Sequence, residues 1–133
     1  MRTIKPLTLF VLKADNGKEL DNTIDSFGDV IEEIVLLDNR NLEKAVKKCK
    51  TEWYGYVFSD ECLEKDLTEA LPLYFNQKVF DVIVLLQRQV KGDNIKFYQS
   101  PRLFKRKIKL KGMVPLKNNY NFVRALDGFL EMS

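Results

Sequence analysis

Residues able to do chemistry gather in three short polar clusters, each placed directly after an apolar run. Lys13-Ala14-Asp15-Asn16 follows residues 7–12, Asp38-Asn39 follows residues 34–37, and Ser59-Asp60-Glu61 follows residues 53–58. A fourth candidate, Arg102, precedes the apolar pair Leu103-Phe104. The chain has no histidine and two cysteines, Cys49 and Cys62. That excludes Ser-His-Asp and Cys-His nucleophile systems and the His-containing zinc sites. A bound metal would be a hard cation on carboxylates, Mg²⁺ or Mn²⁺. Acids are also favoured in the first turn of a helix, where they interact with the backbone dipole, and Asp60-Glu61 is open to that reading.

The elements that must position these clusters follow from periodicity. Residues 7–12 form an almost unbroken apolar run, as does 34–37, and both read as strands buried on two faces. Leu20, Ile24 and Phe27 have helical spacing and stop at Gly28. Leu42, Ala45, Val46 and Cys49 repeat that spacing, with Asn41 as N-cap. Trp53 leads a third strand, and Leu67, Ala70, Leu71 and Tyr74 mark a third helix interrupted by Pro72. Residues 79–86 carry the strongest strand signal, and Gly92-Asp93-Asn94 reads as a hairpin turn into 95–98. Residues 103–110 extend further, with Lys107, Lys109 and Lys111 on the alternate, solvated face. Phe122, Leu126, Phe129 and Leu130 predict a closing amphipathic helix, either core cover or a homodimer contact.

The order β-α-β-α-β-α-β, then a β-rich part and a helix, predicts an α/β fold: one domain over residues 1–133, a mainly parallel sheet flanked by helices. In such sheets ligands sit beyond the carboxyl ends of the strands, which would bring the three polar clusters to one rim. Neither a dinucleotide-binding glycine fingerprint nor a phosphate-binding P-loop is present.

An apolar content of 45% with 31% charged residues describes a soluble globular domain. The absence of a secretory signal or an apolar span, with two thiols read as reduced, places it in the cytoplasm. Residues 94–124 hold nine basic residues and no acid, so this segment faces either water or an anionic partner. It lacks the aromatic interleaving and motifs of nucleic-acid-binding modules, and no nucleic-acid partner is expected.

Residues 18–26, the Glu-Ile-Val-Leu-Leu-Asp of 33–38, the Trp-led segment 52–61 and the Arg-Leu-Phe-Lys-Arg of 102–106 fall in a telling succession. Together they resemble family 2 glycosyltransferases of the GT-A fold, the nucleotide-diphospho-sugar transferase type, over roughly residues 7–112. The resemblance implies that Asp38 contacts a nucleobase, with Asp15 and Asn39 near it. It also implies that Asp60 is the second Asp of an Asp-x-Asp metal motif, with Glu61 beside it; independently, the basic run 102–111 could grip a diphosphate, with Arg102, next to the apolar pair, its better ligand candidate. The implied partner is a nucleotide sugar, with Mn²⁺ or Mg²⁺ neutralising the leaving diphosphate. The chain departs from the pattern at Phe58, which stands in place of the first Asp. It also has Val114-Pro115-Leu116 where the family often has a His-Glu pair, and no carboxylate between Asp93 and Asp127 to act as base. Two readings stay open: a transferase acting on an unknown acceptor, or a non-catalytic GT-A-like binding module.

Overall fold

The computed structural model describes residues 5–13, 20–37 and 41–132. One seven-stranded sheet organises them, in the order β2-β1-β3-β6-β5-β9-β4. Its strands are β1 (Leu7–Leu12), β2 (Ile31–Leu37), β3 (Trp53–Phe58), β4 (Glu61–Leu63), β5 (Val82–Lys91), β6 (Asn94–Lys105) and β9 (Phe122–Met132). The helices are α1 (Leu20–Asp25), the short α2 (Leu42–Ala45), which a 3₁₀ turn extends, and α3 (Lys65–Phe75). A separate two-stranded ribbon, β7 (Leu110–Lys111) with β8 (Val114–Pro115), follows β6.

The expected helix-flanked, mainly parallel sheet is not what forms. Of the described residues 49% are strand and 23% helix, and the sheet is mixed and curled into a half-barrel. Only β2, β1 and β3 make the parallel block; β6 joins β3 antiparallel, β5 joins β6 antiparallel, and β9 runs parallel to β5. The reversal originates in the hairpin at Gly92-Asp93, where Lys91 pairs with Asn94. Gly92 has φ of 59°, the left-handed value that a II′ turn needs at its first central residue.

The largest local departure is the predicted closing helix, which is instead strand β9. Spacing of Phe122, Leu126 and Phe129 suggested a helical stripe, but in a strand the alternation places Val123 and Ala125 inward. The register then breaks: Leu85 faces Ala125 whereas Gln87 faces Leu130. This bulge resets the pleat, so Leu130 returns to the core although it is an odd number of residues from Ala125. Leu126, 67% exposed, lies in the bulge and not in a core-facing stripe. Backbone pairing along β5 therefore overrode a period that was ambiguous in so short a segment.

Apolar side chains fill both faces of the sheet. One core joins Leu9, Val11, Trp53, Val57, Ile83 and Leu103 to Leu67, Leu71 and Phe75 of α3. The other gathers Phe10, Tyr54, Tyr56, Val84 and Phe104 beneath Leu42 of α2 and Leu110. Residues 34–37 are less buried than a central strand would be, because β2 is an edge: Leu36 is 60% exposed. No helix among the described residues is long and apolar enough to cross a membrane.

Gly128 sets how closely β9 approaches α3. A Cβ built there would lie 2.8 Å from Glu64 Oε1 and 3.0 Å from the Leu67 backbone nitrogen. Gly128→Ala should therefore cost about 1–3 kcal/mol through overpacking, read as a lower urea midpoint at unchanged slope. Tyr54, buried in the second core, donates from its hydroxyl to the Ile108 carbonyl at 2.5 Å. Burial, and secondarily the nearby Cys49, raises its pKa well above the ordinary 10.0. The folded state thus holds this proton more tightly, so its contribution is complete below pH 10 and declines as pH rises further. Tyr54→Phe should lose about 1 kcal/mol at neutral pH and show a shallower alkaline decline in thermal melts.

Candidate functional site

The three parallel strands end level with one another. Leu12 pairs with both Leu37 and Phe58, and two backbone bonds continue the alignment, Lys13 N–H to Leu37 at 3.1 Å and Ser59 N–H to Leu12 at 2.9 Å. The chain therefore leaves β1, β2 and β3 at one rim, as the polar clusters at these ends required. Asp15, Asp38 and Asn39 lie outside the described residues. Ser59, Asp60 and Glu61 lie within them, and the three differ sharply in setting.

Ser59 is buried, and its carbonyl accepts from the Thr23 hydroxyl at 2.9 Å, which ties the turn to α1. Asp60 is partly exposed at the turn between β3 and β4. Glu61 points inward as the first residue of β4 and is only 1% exposed. There it meets Arg102, 3% exposed, in a bidentate pair: Nη1 to Oε1 at 2.6 Å and Nη2 to Oε2 at 2.9 Å. Oε1 also accepts the Phe58 N–H at 2.8 Å, and Oε2 accepts from Gln87 Nε2 at 2.7 Å.

Arg102 reaches this position because β6 carries a bulge there. Ile83 pairs with Leu103 and Val84 with Pro101, leaving Arg102 as the extra residue. Pro101, which cannot donate to a ladder, sits where the ladder is interrupted. The guanidinium then lies over the rings of Tyr56, 4.9 Å from its centroid, and Phe58, at 5.7 Å, while Nε donates to Ser100 Oγ at 2.7 Å. Gly55 makes the approach of β6 possible, since a Cβ there would stand 2.9 Å from the Arg102 carbonyl oxygen. Burial raises the Tyr56 pKa, with Arg102 opposing the shift and Glu61 adding to it, so this phenol stays neutral beside the ion pair.

The donor set bears on the metal expectation. A carboxylate offers about four lone-pair positions. Glu61 uses all of them on Phe58, Gln87 and Arg102, so it does not fit a cation without breaking the pair. Among the described residues no group of three or more acidic or thiol side chains is arranged to hold a metal ion. Asp60 is the one acid of the pair at the rim, and Phe58 fills the strand end as an aromatic wall for Arg102.

Sequence reading singled out Glu61 and Arg102 but not their union across 41 residues of chain. Gln87, Ser100 and Tyr56 were missed as their supports. Pro101 inside an otherwise regular strand was the available signal for a bulge that would redirect its neighbour.

The described residues form a curled mixed sheet with a parallel block whose three strands end level. Among solved structures, residues 1–349 of TarS from S. aureus, a glycosyltransferase, share this fold with a TM-score of 0.62 and 10% sequence identity. The alignment covers 96% of this chain and 60% of that chain, so this chain spans less than two thirds of that structure. At such identity the likeness is one of fold. No family model matches the chain, and no curated protein matches it.

Removing one partner of a buried ion pair strands the other's charge. Arg102→Met should therefore destabilise the protein by about 3–5 kcal/mol. In a double-mutant cycle, Arg102→Met with Glu61→Leu should recover part of that loss. Urea titrations would check this, and simple additivity of the two single changes would contradict the assignment.

Proposed function

We propose that this chain is a glycosyltransferase-like domain that binds a nucleotide-diphosphate sugar at the rim formed by the ends of β1, β2 and β3. The observation that carries the reading is the level termination of these strands, with Ser59-Asp60 following β3, in a fold shared with a glycosyltransferase. In this reading Asp38 and Asn39, with Asp15, contact the base and ribose. Asp60 supplies the carboxylate for Mn²⁺ or Mg²⁺, an ion that hard-cation chemistry lets one or two acids hold together with substrate phosphates. Arg102 acts through Glu61 beneath the turn, holding Asp60 in place from inside. The chemistry the ion would supply is neutralisation of a leaving diphosphate.

A second reading is favoured by a specific observation. Glu61 is fully engaged in hydrogen bonds and Phe58 occupies the adjoining motif position, so the site has one acid where a two-acid cation site would have two. That arrangement suits a module which binds a sugar nucleotide without transferring the sugar.

Titration calorimetry with UDP- and GDP-sugars in the presence of Mn²⁺ tests the binding. The wild type should bind one of them, and Asp60→Ala should weaken it by about tenfold or more, near 1.4 kcal/mol. Absence of binding, or an unchanged affinity in Asp60→Ala, would remove the site. Asp60-dependent nucleotide release from the same donor would decide for transfer over binding alone.

A further inference from the structure

The basic segment of residues 94–124 has a structural outcome that its alternating pattern does not suggest. Lys107 and Lys109 do not stand on the solvated face of a strand. β6 ends at Lys105, and the chain turns away as Ile108 N–H bonds the Lys105 carbonyl at 2.9 Å. It then folds back on itself, with Leu116 N–H donating to the Lys109 carbonyl at 2.8 Å. The returning strand of chain brings Lys117, Asn119 and Tyr120 beside Lys107 and Lys109 around a cavity of about 220 Å³, whose remaining lining is aliphatic.

No carboxylate lines this cavity. Lys107 has its own counter-ion, Asp81, at 3.1 Å. Burial disfavours ionisation of Asp81, but the Lys107 ammonium and the Asn121 N–H outweigh it and hold its carboxyl below the usual range. Lys109 and Lys117, by contrast, have no ion-pair partner among the described residues. Ammonium groups gathered on one concavity repel one another, and a bound anion relieves that repulsion. Lysine serves phosphate as a point charge, and the Asn119 amide and Tyr120 hydroxyl add neutral donors.

The loop is also held before any ligand arrives. The Tyr54 hydroxyl anchors Ile108, Lys105 N–H bonds Asp81 at 2.8 Å, and Arg106 N–H bonds Glu52 at 2.9 Å. Such preorganisation lowers the ordering cost of binding. These anchors lie at the Trp53 end of β3, where Trp53 pairs with Lys105, opposite the Phe58 end that leads to Glu61. Six residues of strand separate the two by roughly 20 Å.

We propose that the cavity formed by Lys107, Lys109, Lys117, Asn119 and Tyr120 is a binding site for the phosphate group of a small phosphorylated molecule, distinct from the rim site. Its small volume suits a phosphate or diphosphate with little attached to it, and a nucleic-acid backbone would ask for a long groove.

Amide NMR titration of the full chain with inorganic pyrophosphate at low ionic strength tests the proposal. Saturable shifts should concentrate at residues 107–109 and 116–120. The double substitution Lys109→Ala with Lys117→Ala should weaken binding by at least about tenfold. Lys96→Ala, on the far β5–β6 hairpin, should leave it unchanged; both sites are exposed, so the variants keep the fold. Non-saturating shifts, or equal weakening by Lys96→Ala, would reduce the effect to general charge and overturn the site. Single-stranded DNA binding without pyrophosphate binding would overturn it as well.

Discussion

The buried pair between Glu61 and Arg102 is the constraint on which the arrangement of this protein turns. It joins the short edge strand β4 to the middle of β6, and its satellite bonds reach the Phe58 amide on β3 and Gln87 on β5. One ion pair thereby ties the consecutive strands β3 and β4 to the β5–β6 hairpin, its two members 41 residues apart. Burial of two opposite charges is costly unless geometry is good and the remaining donors and acceptors are satisfied. Both conditions hold here: the contact is bidentate, Ser100 takes the Arg102 Nε, and Tyr56 and Phe58 present ring faces to the guanidinium. Together with the Thr23 hydroxyl bond to the Ser59 carbonyl, this pair holds the turn after β3.

The pair also separates support from function. Asp60 and Glu61 are neighbours in sequence, but Asp60 lies in the turn after β3 whereas Glu61 opens β4. One acid turns inward and becomes a structural anchor; the other remains at the rim where the parallel strands end. The same division applies to basic residues. Arg102 is consumed inside, whereas Lys109 and Lys117 gather at the opposite end of the sheet without acidic partners among the described residues. Among the described residues the two ends of the sheet thus offer different chemistry, the Asp60 carboxylate at one and cationic groups at the other.

Much of the chain was legible before the structure. The strands 7–12 and 53–58, the helix around Leu67 and Leu71, and the hairpin at Gly92 all announced themselves through period and turn residues. Less legible were elements whose local pattern suited two outcomes. Phe122 to Leu130 has helical spacing and strand-favouring residues at once, and only a partner strand, β5, decides between them. Lys107 and Lys109 alternate as in a strand, yet Tyr54, fifty-four residues from Ile108, holds the loop in another course before β7 begins at Leu110. In each case a contact distant in sequence outweighed local preference, because propensities amount to tenths of a kcal/mol and a buried bond or packed face to more.

By itself the sequence determined the composition of a two-faced sheet, the polar turns after its parallel strands, the absence of imidazole chemistry and the resemblance to glycosyltransferases. These are properties of short windows, where apolar period, turn residues and residue inventory act locally. Only the tertiary structure decided that the sheet is mixed and curled, that Arg102 sits on a bulge, and that Glu61 spends its oxygens on that arginine. Those outcomes depend on register and on pairings across tens of residues, where one residue of slip changes which side chain faces inward. The chemistry available at Asp60 follows from that choice, since its neighbour had to turn inward for the turn to hold.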